Sequence, residues 1–391
     1  MYDWKAIPWR KLERVVFKLQ KRIYRAAKEG NKRKVRKLQG LLYRSWSNKM
    51  ISVRRVTQQN QGKKTAGIDC VTALKPSERQ PLVRQLRLTR KAKAKATRRV
   101  WIPKPGRDEK RPLGIPTMYD RALQGVVKNA LEPEWEANFE PNSYGFRPGR
   151  GCHDAIEAIF LAIKQKPRWV LDADIAKCFD RIDHSALLNK LNTTSLIRRQ
   201  VRAWLKAGVM DSGVFQQTTA GTPQGGVISP LLANIALHGL EEKVMELAKG
   251  RDEKAKLTVV RYADDFVVLH DDRSMIKKAK REVEEWLARI GLELKAEKTH
   301  ISHTLEGKEP GFDFLGFNIR QYEVGKYRSG KSTHGAILGF KTLIKPSDKS
   351  IKNHKEELAK IVHSHKALPQ TTLRVHPNLA MSKNTSLLNC H

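Results

Sequence analysis

The sequence predicts an α+β protein, and three observations carry that prediction. Basic stretches at the amino end place apolar residues at helical spacing. Segments at 169–175 and 312–319 alternate with the period of a strand. Segments at 100–116 and 259–269 read as hairpins, each a pair of β-rich runs around a turn. With 391 residues the chain is long enough for two or three domains and a sizeable core.

Residues 9–28 read as an amphipathic helix on Leu12, Val15, Val16, Leu19 and Ile23. Gly30-Asn31 is a stop and restart. Val35, Leu38, Leu42, Trp46 and Met50 then place a second, continuous helix. Positions 1–40 hold fourteen basic residues against three acids, an excess that favours phosphate contact over a merely solvated face. Asn60 to Asp69 is polar and Gly-rich, hence a loop. Residues 78–99 form a basic, helix-like run, and the 100–116 hairpin follows with its turn at Pro105 to Lys110.

Ser143 to Cys152 mixes aromatics, glycines and arginines, a loop able to stack on bases and pair with phosphates. A helix starts at His153, with Ala155, Ile156, Ile159 and Ile163 on its apolar side. In the 169–175 strand, Asp172 and Asp174 share one face. Asp183 is a helix N-cap. Gly221 to Gly226 cannot be regular structure, and its glycines let backbone approach a ligand closely. Residues 274–290 form a helix ended by Gly291; Leu292 to Leu294 is a short strand and Phe312 to Ile319 a strand pair. A basic helix covers 349–365, and Thr371 to His391, without periodicity, reads as disordered.

The chemistry centres on Val259 to Leu269, where Asp264 and Asp265 stand side by side between two apolar runs. Adjacent acids in such a setting repel and lose solvation. A cation relieves both costs, and hard oxygen ligands favour Mg²⁺; the alternative is a solvated turn, where Asp is common. A second acid-bearing strand, ending in Asp174, suits two ions that activate a hydroxyl and stabilise a leaving oxygen in phosphoryl transfer. Asp172 ranks behind Asp174, with a structural role as its alternative.

The formal net charge of +36 points to a polyanion as partner. No apolar run approaches the roughly twenty residues needed to span a bilayer, and no secretory layout opens the chain, so no membrane partner is expected. The scattered Cys70, Cys152, Cys178 and Cys390 suggest neither a zinc site nor disulfides, and fit a reducing cytoplasm. His363 and His365 read as surface histidines rather than metal ligands.

Three motifs in this order resemble reverse transcriptases, in the wording of group II intron-encoded proteins. Tyr262-Ala263-Asp264-Asp265 resembles their catalytic box, Asp174 to Asp180 their first metal motif, and Gly221 to Ile235 the loop and helix beneath the incoming nucleotide. The resemblance covers roughly residues 55–365. It implies a right-hand polymerase: a basic helical N-terminal extension (1–80), fingers and palm with an antiparallel palm sheet (81–326), a partial helical thumb or maturase domain (327–370) and an irregular tail (371–391), with the C-terminus shortened. It implies two Mg²⁺ held by Asp174, Asp264 and Asp265, with the Ile175 carbonyl as a further ligand. Lys298 would lie near the pyrophosphate as general acid, its alternative being a surface cation. Lys104 and Arg111 would hold the dNTP triphosphate, their alternative being solvated hairpin cations. Phe179 would crowd the sugar 2′ carbon, its alternative being a core residue, and Gln224 would contact the nucleotide. The implied partners are an RNA template, a DNA primer, group II intron RNA and target DNA, in cDNA synthesis, splicing and intron mobility. The rival readings are a splicing factor that does not need catalysis, and a retron-like or defence-type enzyme.

Overall fold

A computed structural model describes residues 4–72, 74–103, 110–248 and 257–364. The helices are α1 (Trp9–Lys28), α2 (Lys32–Arg44), α3 (Trp46–Arg54), α4 (Pro76–Gln85), α5 (Met118–Asn138), α6 (Cys152–Ile163), α7 (Cys178–Arg181), α8 (His184–Leu191), α9 (Ser195–Leu205), α10 (Ser229–Leu237), α11 (Leu240–Met245), α12 (Arg273–Ala288) and α13 (Asp348–Ser364). The strands are β1 (Thr97–Pro103), β2 (Lys110–Ile115), β3 (Trp169–Asp174), β4 (Val209–Asp211), β5 (Val214–Gln216), β6 (Thr258–Tyr262), β7 (Asp265–His270), β8 (His300–His303), β9 (Phe312–Phe314), β10 (Phe317–Glu323) and β11 (Phe340–Pro346). They divide between two compact units, the described residues of 1–140, 177–238 and 287–292, and those of 141–176, 239–286 and 293–391.

In the first unit α1, α2 and α3 pack with α5 around Val16, Ile23, Ala26, Val35, Leu38, Leu42, Ile51 and Ala130. Full burial of each larger aliphatic side chain contributes about 1.5–3 kcal/mol. Asn31 caps α2, its side chain accepting the Lys34 N–H at 3.0 Å. The single helix expected through Met50 is two helices. Ser45 turns extended at φ −58°, ψ 128°, and Trp46 is left 48% exposed, off the buried stripe. The break is stabilised from inside: the buried Asn48 amide donates to the Leu42 and Val126 carbonyls, both at 3.1 Å.

The expected helix over 78–99 stops at Gln85. Leu82, Val83 and Leu86 are buried, but the basic residues beyond them offer no apolar face to pack, and β1 starts at Thr97. The hairpin is present, running from Arg98 opposite Ile115 to Pro103 opposite Lys110. The unit's sheet has the order β2-β1-β4-β5, with β1 and β4 parallel.

The second unit holds an antiparallel sheet of order β6-β7-β3-β8 and a smaller one of order β11-β10-β9. Ala155, Ile156, Ile159 and Ile163 of α6 share one core with Val170, Val260, Val267, Leu269, Phe312, Phe314 and Ile319. That helix begins at Cys152, where the Asp154 carboxylate accepts the Gly151 N–H at 2.6 Å. On α12, Met275, Ile276, Ala279, Val283 and Leu287 are buried and Trp286 is half-buried, whereas Ile290, expected on this helix, is half-buried beyond its end at Ala288. The expected strand at 292–294 reduces to one bridge between Leu294 and Ile175. The strand pair at 312–319 is β9 and β10, and residue 326 lies between β10 and β11, which pair from Phe317–Pro346 to Glu323–Phe340. No residue of α13 is buried. The tail expected to be disordered lies outside the described residues, as does His365.

Candidate active site

Asp174 is the last residue of β3, and the strand beside it begins with Asp265, directly opposite in register. Asp264 lies in the turn between β6 and β7, which is closed by the Tyr262–Asp265 pair. Ala263 in that turn takes φ +58°, an uncommon conformation for a residue with a Cβ. The Ile175 N–H donates to the Asp264 carbonyl at 3.2 Å, stitching the end of β3 to the turn. So residues ninety positions apart meet because two antiparallel strands end together. Ile175 is itself buried and bridges Leu294. The Lys295 N–H donates to the Asp174 carbonyl at 2.8 Å. That anchors a short 3₁₀ turn, Ala296–Lys298, and Lys298 ion-pairs with the Asp174 carboxylate.

The electrostatics are unfavourable without a further cation. Burial, then the charges of Asp264 and Asp174, push the Asp265 carboxyl up to about 7. Burial, then Asp313 and Asp174, push Asp172 up to about 7 as well, and Lys298 offsets both only in part. Among the described residues no group of three His, Cys, Asp or Glu side chains stands ready to enclose an ion. The donor set nonetheless fits Mg²⁺: hard carboxylate oxygens, like-charged and desolvated, with one lysine as the local counter-charge.

Of the residues expected around the nucleotide, Phe179, Arg111 and Gln224 lie in the other unit. Phe179 is half-buried on α7. Arg111 is exposed on β2 opposite Ile102. Lys104 lies outside the described residues. Gln224 is half-buried in the loop before α10, and its carbonyl accepts the Gly114 N–H at 2.5 Å. That loop is tightly built. The Gly221 N–H donates to the Ile182 carbonyl at 2.8 Å, and Ser229 Oγ donates to the Pro223 carbonyl at 2.8 Å. Gly221 sits at φ +82°, and a Cβ there would fall 2.6 Å from the Asp180 carbonyl carbon. His184 Nε2 donates to the Gly221 carbonyl at 2.7 Å, and burial lowers its pKa.

Three contributors escaped the sequence reading. Asp313 on β9 acts electrostatically on Asp172, its carboxylate accepting the Asn318 amide at 2.8 Å. Gly145 approaches the β6–β7 turn so closely that a Cβ would lie 2.3 Å from the Ala263 nitrogen. Arg261, buried within β6, donates to the Ala263 carbonyl. A charged residue inside an apolar strand was the available signal for Arg261.

Residues 102–319 match the model of the reverse transcriptase (RNA-dependent DNA polymerase) family, and residues 4–86 that of the N-terminal domain of reverse transcriptase. The group II intron-encoded protein LtrA of Lactococcus lactis subsp. cremoris is 31% identical over 65% of this chain and 52% of its own length. The protein YkfC of Escherichia coli is 32% identical over 68% of this chain and 78% of its own. An uncharacterized 91 kDa protein in the cob intron of Schizosaccharomyces pombe is 30% identical over 66% and 38% respectively. The chain thus spans about half the length of LtrA. Among solved structures, an apo telomerase of Candida tropicalis truncated from its C-terminal domain overlaps 67% of this chain and 56% of that one, at 14% identity and a TM-score of 0.48. With its mixed helices and antiparallel sheets, and with more than half its length matched, the chain belongs to the reverse transcriptase (RNA-dependent DNA polymerase) family, and is similar within it to group II intron-encoded proteins.

Proposed function

We propose that the protein is an RNA-directed DNA polymerase of group II intron type. The observation that carries this reading is the meeting of Asp174, Asp264 and Asp265 at one end of one sheet, with Lys298 against Asp174. When bound there, two Mg²⁺ ions would activate the primer 3′-hydroxyl and neutralise charge developing on the dNTP phosphates. Asp174, Asp264 and Asp265 would hold them, with the Ile175 carbonyl as a further ligand. Lys298, a half-exposed ammonium paired with the Asp174 carboxylate, would on family resemblance give a proton to the departing pyrophosphate. On family resemblance, Lys104 and Arg111 take the triphosphate, Gln224 contacts the nucleotide and Phe179 selects against a 2′-hydroxyl.

A second role, binding group II intron RNA to aid splicing, is favoured by one further observation. Lys11, Arg14, Lys18, Lys21, Arg22, Arg25 and Lys28 all stand exposed on α1, far more cation than solubility needs. Both roles are compatible with one chain, and target DNA joins the partners where mobility follows. Primer extension on an RNA template with dNTPs and Mg²⁺ tests the main reading. The purified protein should make cDNA, and Asp264→Ala should lower the rate at least about a thousandfold, since metal electrostatics supply most of the barrier reduction. Splicing assistance should survive that substitution. An Asp264→Ala protein that retains most of its cDNA synthesis would refute the site.

A further inference from the structure

The turn that presents Asp264 and Asp265 is braced by a residue with no role in the chemistry above. Arg261 is 3% exposed on β6. Its Nη1 donates to the Ala263 carbonyl at 3.1 Å, and its Nη2 donates to the Ser143 hydroxyl at 2.7 Å. Its main chain is held on the same side. The Arg261 N–H donates to the Asn142 carbonyl at 2.9 Å, and the Tyr144 N–H donates to the Arg261 carbonyl at 2.8 Å. The loop then runs on to Gly145, where an added Cβ would fall 2.3 Å from the Ala263 nitrogen and 2.9 Å from the Tyr262 carbonyl carbon. Between these contacts Ala263 is kept at φ +58°, a region that a residue with a Cβ leaves readily when nothing holds it.

We propose that Arg261 is a positioning residue: its two-armed bridge from Ser143 to the Ala263 carbonyl holds the turn in the left-handed conformation that aims Asp264 and Asp265 at Asp174. The inference rests on the reading that these acids hold divalent cations. An arginine suits the task because its planar fork donates in two fixed directions at once, whereas a lysine is a single point charge. Burying a guanidinium is costly unless its donors are satisfied, so the bridge must stay closed for the strand to stay packed.

The test compares wild type with Arg261→Lys, Arg261→Lys/Ala263→Gly, Ser143→Ala and Asp264→Ala. Glycine adopts positive φ without penalty, so it removes the need for the brace. Mn²⁺ binding to the substrate-free protein is followed by electron paramagnetic resonance, and the Mg²⁺ requirement by primer extension. Arg261→Lys should weaken Mn²⁺ binding about tenfold, as when a partner orienting a metal ligand is lost, and raise the Mg²⁺ requirement in parallel. Ser143→Ala, which removes one anchor and keeps the arginine, should shift both the same way by about threefold. Adding Ala263→Gly to Arg261→Lys should recover most of the lost affinity, which a residue that merely filled the core would not allow. Wild-type Mn²⁺ affinity in Ser143→Ala and Arg261→Lys, or a double variant as weak as Arg261→Lys alone, overturns the inference. So does Mn²⁺ binding that Asp264→Ala leaves untouched. If the metal pattern holds but wild type makes no cDNA, the polymerase reading fails and the positioning role stands.

Discussion

Burial, with the charges of Asp264 and Asp174, opposes ionisation of Asp265. Its folded pKa of about 7 lies above the 3.8 of a solvated aspartate, so between those values the folded chain binds more protons than the unfolded one. The sign follows: in the absence of metal this group lowers stability as pH rises from about 4 to 7. Asp172 acts in the same direction for the same first cause, burial. Removing the charge should therefore help the metal-free fold. In EDTA at pH 8, Asp265→Asn is expected to stabilise by on the order of 1–3 kcal/mol, a gain that shrinks towards pH 4. Urea unfolding at both pH values checks it, and a variant less stable than wild type at pH 8 would contradict the charge argument. With Mg²⁺ present the ranking should reverse, because the wild-type carboxylate then gains a partner.

At the scale of elements, the acid-bearing strands were legible because strand periodicity and isolated charge are both local signals. Asp172 and Asp174 on β3, and the pair at the β6–β7 turn, could be read from the alternation and from their apolar flanks. Lys298 was placed only by resemblance, and the contact with Asp174 depends on the 3₁₀ turn that Lys295 anchors. Breaks driven by tertiary contacts were not legible. The stop at Ser45 is accompanied by Asn48 reaching the Leu42 carbonyl and, from a distant helix, the Val126 carbonyl, and no local window of sequence contains the second. The run over 78–99 has helix-forming composition, but a helix needs a substantial apolar face to bury, and past Leu86 only Leu88 and small alanines stand among the basic residues. Gly145 was read only as part of a loop able to meet nucleic acid, whereas its lack of a side chain lets that loop lie on the β6–β7 turn. Gly145→Ala should consequently cost about 1–3 kcal/mol of stability through overpacking, and depress cDNA synthesis more than that loss alone explains. Unfolding curves and primer extension on the same preparation separate the two effects. An alanine variant with unchanged rate would mean that the turn tolerates displacement.

At the scale of the whole molecule, charge is distributed in two distinct ways. The four acids Asp172, Asp174, Asp264 and Asp265 are concentrated in one place, while the chain as a whole carries +36. The surplus on α1 is exposed and lies on the faces opposite Val16, Ile23 and Ala26, so packing does not require it. Replacing Arg14, Lys18, Lys21 and Arg25 by alanine should weaken RNA binding and reduce the salt slope of log K by up to about 3, roughly 0.7–0.9 per phosphate contact. An unchanged slope would mean that this face does not meet phosphate. Composition alone points to a polyanion as the proposed partner, because net charge needs no fold. Which cations would meet RNA was not legible, since helix faces are assigned only once α1, α2, α3 and α5 pack together.

The most direct measurement is iron-mediated cleavage of the protein, with Fe²⁺ replacing Mg²⁺ and ascorbate and peroxide generating radicals at the bound ion. Backbone cuts should cluster around residues 172–176 and 262–266 together, compete away with Mg²⁺, and vanish in Asp174→Ala and Asp264→Ala. Cuts confined to one of these segments, or cuts that persist in both variants, would mean that the acids at the ends of β3 and the β6–β7 turn do not share a metal site.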